Sequence, residues 1–146
     1  MTHPDCPKSV AYRVKRLYLL ASQLLDDALK PYGLGRSQWQ AINRVRRAGS
    51  ITQRELQDIL QVEPATLSGL VDTLVVKGWL ERSENPDDKR GKLLRLAPDA
   101  TARLAEIPDP VSAVENRMLE GVSAEDRAVA DRVLERMVEN LERGRE

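Results

Sequence analysis

The chain has 146 residues, which suits one domain with a substantial core. Its 23 Lys plus Arg balance 23 Asp plus Glu, which by itself argues against a nucleic-acid binder, and no apolar run approaches the roughly 18 residues of a membrane span. With no Phe and 3% aromatic residues, the core must be Leu, Val, Ile and Ala, as in helical proteins.

The opening MTHPDCPKSV lacks the apolar segment of a signal peptide, so export is not expected. The single cysteine, Cys6, cannot form an internal disulfide and suits a reducing cytoplasm. From Val10 to Leu29 apolar residues recur at helical spacing (Val10, Val14, Leu17, Tyr18, Ala21, Leu24, Leu25, Ala28), and Pro31, Gly33 and Gly35 end the run. Ser37 is expected to cap a second helix with Trp39, Ile42 and Val45 on one face, stopping near Gly49. Thr52 followed by Glu55 is a capping box for a short third helix, with Leu56, Ile59 and Leu60 inward. Val62 marks a corner. Pro64 suits the first turn of a fourth helix that buries Leu67, Leu70, Val71, Leu74 and Val75 and ends at Lys77-Gly78.

Trp79 to Glu84 and Lys92 to Leu96 read as two strands, with turn chemistry from Asn85-Pro86 and Gly91. A fifth helix should open around Pro98-Asp99 and be bent or interrupted by Ile107-Pro108-Asp109-Pro110, because proline lacks an N–H and clashes with the preceding turn. Ser123 with Glu125 and Asp126 opens a last helix carrying Ala130, Val133, Leu134, Met137, Val138 and Leu141. The expected fold is mainly α: a winged helix-turn-helix of about six helices with a two-stranded β wing. We expect one domain over 1–146, with a winged-helix unit at 36–97. The segments 8–30 and 98–143 each carry an apolar stripe that the central unit does not need. A homodimer through them is the simplest way to bury both, the alternative being a monomeric helical layer.

Neutral overall, the charge is segregated. Gly35 to Arg54 holds five arginines and no acid, Lys77 to Arg95 six bases against four acids, and Ala97 onward seven bases against twelve acids. A basic face can therefore exist, although an arginine run can also be a solvated helix face. Catalysis is not expected. His3 and Cys6 lie in a tail that cannot position a relay, Asp26-Asp27 and Asp87-Asp88 are adjacent pairs that point apart, and zinc-ligand spacings and a Gly-rich phosphate loop are missing. No cofactor or metal is called for.

ITQRELQDILQVEPATLSGLVDTLVVKGWLERSENPDDKRGKLLRL resembles the MarR family of bacterial transcriptional regulators, and the likeness extends over roughly Val10 to Leu141. The family's wing pattern, Asp-x-Arg then Val-x-Leu-Thr, appears as Asp88-Lys89-Arg90 and Leu94-Arg95-Leu96-Ala97, with Ala97 for the usual Thr and Ala100 for the usual Gly. The resemblance implies a dimer on near-palindromic double-stranded DNA, probed by the fourth helix in the major groove and the wing in the minor groove. It points to Pro64, Ala65, Thr66, Ser68 and Gly69 as base-facing, though Thr66 and Ser68 also suit plain exposed helix polarity. Many relatives carry Arg at the place of Gly69. This chain has no Lys or Arg between Glu55 and Val76, and four acids counting Glu55, so recognition should lean on hydroxyls, methyl contacts, water and DNA shape.

Arg36, Ser37, Arg54, Lys89, Arg90 and Lys92 are the phosphate candidates, with Arg90 at the wing tip. Asp88 and Arg90 share one side of an extended segment, so Asp88 can hold the Arg90 guanidinium; a solvated ion pair is the plainer reading. Many relatives release DNA for an aromatic anion, for which Tyr12, Arg16, Trp39 and Arg44 are candidates, although core packing or plain surface is the simpler reading of each. Cys6 precedes the first helix, unlike the cysteine of peroxide-sensing relatives. The rival to a repressor is a winged-helix interaction module without specific DNA binding, prompted by the acidic fourth helix.

Overall fold

The computed structural model describes residues 9–145; His3 and Cys6 lie outside them. The described residues form seven α-helices, one short 3-10 turn and three strands, in two units that part between Pro110 and Val111.

In the first unit, α1 (Val10–Leu29) is capped by the Ser9 hydroxyl, which accepts from the Tyr12 amide at 3.1 Å. Helix α2 (Arg36–Ala48) starts one residue before the expected cap: Gly35 is the N-cap and Ser37 lies inside the first turn. The cause is Gln38, whose Oε1 accepts from the Gly35 amide at 3.3 Å. Extended Gly35 thus becomes the flanking residue, and the Ser37 hydroxyl is left exposed.

The strand β1 (Ser50–Thr52) was not expected. It leads into α3 (Gln53–Leu60), whose capping box forms as read: the Thr52 Oγ1 accepts from the Glu55 amide at 3.1 Å and the Glu55 Oε2 from the Thr52 amide at 2.8 Å. Those two Thr52 contacts hold the Glu55 carboxyl below its ordinary range. Thr52→Ala should lower unfolding free energy by about 1 kcal/mol. A shift in urea midpoint at unchanged slope would report it, and no shift would show the box to be incidental.

Leu56 is fully buried and Leu60 packs on the core, but Ile59 is exposed, against expectation. Positions 56 and 60 stack four apart on one side of an eight-residue helix, and 59 turns away from that narrow stripe. Gln61, left-handed at φ 51°, makes the corner, and α4 (Pro64–Val76) leaves at a bend of 116°. That angle is in the range of a helix-turn-helix. Leu67, Val71 and Leu74 are buried, with Leu70 and Val75 half-buried against them.

Strand β2 (Leu80–Asn85) has the expected length but lies one residue further on, β3 (Asp88–Leu96) starts four residues earlier than expected, and the turn contracts to Pro86-Asp87. The sheet is antiparallel in the order β1-β3-β2. Its central strand carries the fully buried Leu94, which is opposite Ile51 on one side and Arg82 on the other. Helix α5 (Ala100–Ala105) adds Ala100 and Leu104 to a core that also takes Leu29, Leu34, Ile42, Val45, Trp79, Leu80 and Ile107.

The proline-rich stretch interrupts the next helix as expected: α6 (Pro110–Met118) begins at the unit boundary. In the second unit, Gly121 turns the chain at φ 77° and Ser123 caps α7 (Ala124–Arg143), accepting from the Asp126 amide at 3.1 Å. Arg127 bridges to Glu115 of α6 at 2.7 Å. No single helix among the described residues is long and apolar enough to cross a membrane. The bent α3–α4 pair qualifies by length and composition, yet its Leu56, Leu67, Val71 and Leu74 are core residues.

Candidate nucleic-acid interface

Three surfaces of the first unit meet the requirements of a groove-reading module. The first is the opening of α4. Pro64, Ala65, Thr66 and Gly69 are exposed and Ser68 is half-exposed, while Leu67 between them is buried. Glu63, the N-cap, makes no side-chain cap bond, so the first amides of the helix are not taken up by a cap side chain. A Cβ at Gly69 would meet nothing within 4 Å, so the missing side chain reflects no crowding. The Gly69 carbonyl accepts from the Thr73 hydroxyl at 2.9 Å.

The second surface is the wing tip. As β2 advances one residue from Glu84 to Asn85, its partner on β3 jumps from Lys92 to Asp88. Lys89, Arg90 and Gly91 therefore face no ladder partner, and a bulge re-aims the Lys89 and Arg90 side chains. The Asn85 Oδ1 accepts from the Asp87 amide at 3.0 Å and closes the turn. Asp88 does not hold the Arg90 guanidinium as expected. Its Oδ1 accepts from the Arg90 backbone amide at 2.9 Å, a local bond that fixes the bulge in the way short acidic side chains fix turns. The Arg90 guanidinium is exposed and makes no hydrogen bond or ion pair among the described residues.

The third surface is the base of the wing, and β1 explains it. The pairing of Thr52 with Leu93 places the first turn of α3, with exposed Arg54, beside Lys92. Lys92 shares its face with Leu94 but lies past the edge of the core, where it is exposed. A Ser-Ile-Thr run after a glycine, with one buried isoleucine, was the only hint of this strand.

Not every candidate joins these surfaces. Arg36 is committed elsewhere: its Nε lies 3.1 Å from Asp26 Oδ2 of α1. Partial desolvation works against its charge, but Tyr18 and Asp26 outweigh that and raise its pKa. The acids of α4 are partly answered, since Asp72 Oδ1 lies 2.6 Å from Arg82 Nη2 on β2. Of the ligand candidates, Trp39 packs against the core, Tyr12 is half-buried, and Arg16 and Arg44 are exposed. Among the described residues no hydrogen bond or ion pair joins these four side chains, and no three His, Cys, Asp or Glu gather as a metal site.

Residues 32–91, which hold α2 to α4 and the wing tip, match a model of the MarR family. The multiple antibiotic resistance protein MarR of Salmonella typhimurium is 41% identical over 80 residues, 55% of this chain and 56% of that protein. The chain thus spans about half the length of the curated relatives it matches at this identity. An uncharacterized HTH-type transcriptional regulator of Bacillus subtilis, YwoH, is 28% identical over 120 residues, covering 82% of this chain and 87% of that one. A crystal structure of a MarR variant from Escherichia coli complexed with operator DNA superposes with TM-score 0.78 at 27% identity, covering 88% of this chain and 92% of that one. With the helix pair, the corner and the bulged wing in place, the chain has the winged helix-turn-helix fold of the MarR structures, and its residues 32–91 are similar to the MarR family.

Proposed function

We propose that this protein is a sequence-specific, DNA-binding transcriptional repressor that acts in the cytoplasm as a homodimer on a near-palindromic site, and that it is not an enzyme. The observation that carries the reading is the display of an uncapped, side-chain-poor α4 opening together with an unpaired Arg90 on a bulged wing. A helix fits the major groove and a cationic finger fits the electronegative minor groove. The operator complex of the E. coli relative supports the same assignment. Pro64, Ala65, Thr66, Ser68 and Gly69 would face bases. Ser37, Arg54, Lys89, Arg90 and Lys92 would meet backbone or minor groove, and Asp88 would shape the tip.

The dimer reading rests on two unburied stripes. Helix α1 exposes Val10, Val14, Leu17, Leu19 and Leu20, and α7 exposes Val129, Val133, Leu134, Val138 and Leu141. Apolar stripes of this length mark surfaces that a partner covers. A second copy supplies a matching one by symmetry.

Arg90→Ala should weaken binding to every duplex and flatten the slope of log K against log salt by about one unit. Titration on DNA upstream of the protein's own gene, at several salt concentrations, measures this. An unchanged slope would remove Arg90 from the interface. Adding a salicylate-like anion to the same titration tests for an effector, with release of DNA as the expected result.

A further inference from the structure

The end of α4 remote from the proposed base contacts is tied by side chains to two neighbouring parts of the first unit. The helix closes with a complete Schellman motif: the Trp79 amide donates to the Leu74 carbonyl at 2.9 Å, the Gly78 amide to Val75 at 3.0 Å, and Gly78 takes φ 76°. That motif leaves the carbonyls of Lys77 and Gly78 turned outward. Both are taken by one side chain from another helix: Arg103 Nη1 of α5 lies 3.3 Å from the Lys77 oxygen and 3.1 Å from the Gly78 oxygen. The Arg103 guanidinium also stacks on the buried Trp79 ring, 3.8 Å from its centroid. Lys77 reaches the other way. Its Nζ donates to the Gly33 carbonyl at 2.6 Å and to Gln38 Oε1 at 3.3 Å. Gly33 follows α1, and Gln38 is the residue that sets the start of α2. Two cations at the negative end of the helix thus tie it to the α1–α2 connection on one side and to α5 on the other.

We propose that Lys77 and Arg103 are positioning residues for sequence recognition, locking the tilt of α4 so that its opening meets base edges in register. The inference rests on the DNA-binding reading above. Neither side chain belongs to the surface that would meet the phosphates, so they act through α4. Small errors in angle at the C-terminal end become displacements at the first turn, a helix of 13 residues away at about 1.5 Å per residue. Base contacts need close register, whereas phosphate contacts tolerate a shift. Gly78 belongs to the same joint, because a Cβ there would stand 3.4 Å from Arg103 Nη1 as well as straining a positive φ.

The test compares Lys77→Met and Arg103→Met with the unaltered protein on the upstream duplex and on a scrambled duplex of equal length, each across a range of salt. Methionine keeps the apolar stem that covers Trp79 and deletes the donors. Each variant should lose about tenfold in affinity for the upstream duplex while its affinity for the scrambled duplex and its salt slope stay unchanged. Equal losses on both duplexes, a flatter slope, or no loss would overturn the proposal. Lys77→Met alters an exposed side chain and carries the comparison alone if the Arg103 variant does not fold. If the unaltered protein fails to distinguish the duplexes, the DNA-binding reading itself falls; if it distinguishes them and the variants do so equally well, only the clamp falls.

Discussion

A chain carrying Leu17→Glu and Leu134→Glu together should sediment as a monomer at micromolar concentration and lose specific retardation of the upstream duplex. Leu17 is 51% exposed on α1 and Leu134 47% exposed on α7, so neither substitution removes an interior contact within the chain's own core. In the proposed dimer both are covered. An unpaired carboxylate there is desolvated, at a cost of about 3 kcal/mol per site, or more than a hundredfold in dimer dissociation. DNA affinity falls with it, because one protomer presents one α4 and one wing, and the second contact is no longer intramolecular. Analytical ultracentrifugation with a circular-dichroism melt checks both halves. A stable dimer would move the interface elsewhere, and loss of the helical signal would mean that these leucines support the fold itself.

Leu74→Ala should have the largest effect on stability, about 3 kcal/mol, against roughly 5–15 kcal/mol for a whole domain. Leu74 is fully buried, and its carbonyl also receives the Trp79 amide that closes α4. The cavity would open beneath the helix that the proposed function places in the groove. Leu70, half-buried on the same helix, is the control: Leu70→Ala should cost about 1 kcal/mol. Urea titration gives both values. Equal losses would show that the face of α4 has been misassigned.

The helices between residues 10 and 78 were legible because each announces itself twice, by period and by punctuation. Val10–Leu29 has a clean stripe ended by Pro31 and Gly33, Thr52 and Glu55 form a box, and Pro64 and Gly78 bracket α4. The strand β1 escaped because three residues cannot establish a period of two, and its meaning lies in a partner more than 40 residues later. Ser37 was a plausible cap in sequence, but an N3 glutamine reaching back to Gly35 outcompeted it. Ile59 followed the helical period and still faced outward, because how much of a short helix is covered depends on its neighbours.

At the candidate site the wing was recognised by its residues, but its mechanics were not. Asp88 and Arg90 share a side only in a regular strand, and the bulge removes that premise. Arg36 is a phosphate candidate by sequence, and the fold brings Asp26 of α1 beside it. Arg103 gave no local signal, since its partners at residues 77–79 are reached only when α5 packs back against the start of the sheet.

The most direct test of the account is the stoichiometry and salt dependence of binding to DNA upstream of the protein's own gene. Two protomers per site are expected, with log K falling steeply and linearly with log salt and at least about a thousandfold preference over a scrambled duplex. A complex of one protomer, or equal affinity for both duplexes at every salt concentration, would contradict it.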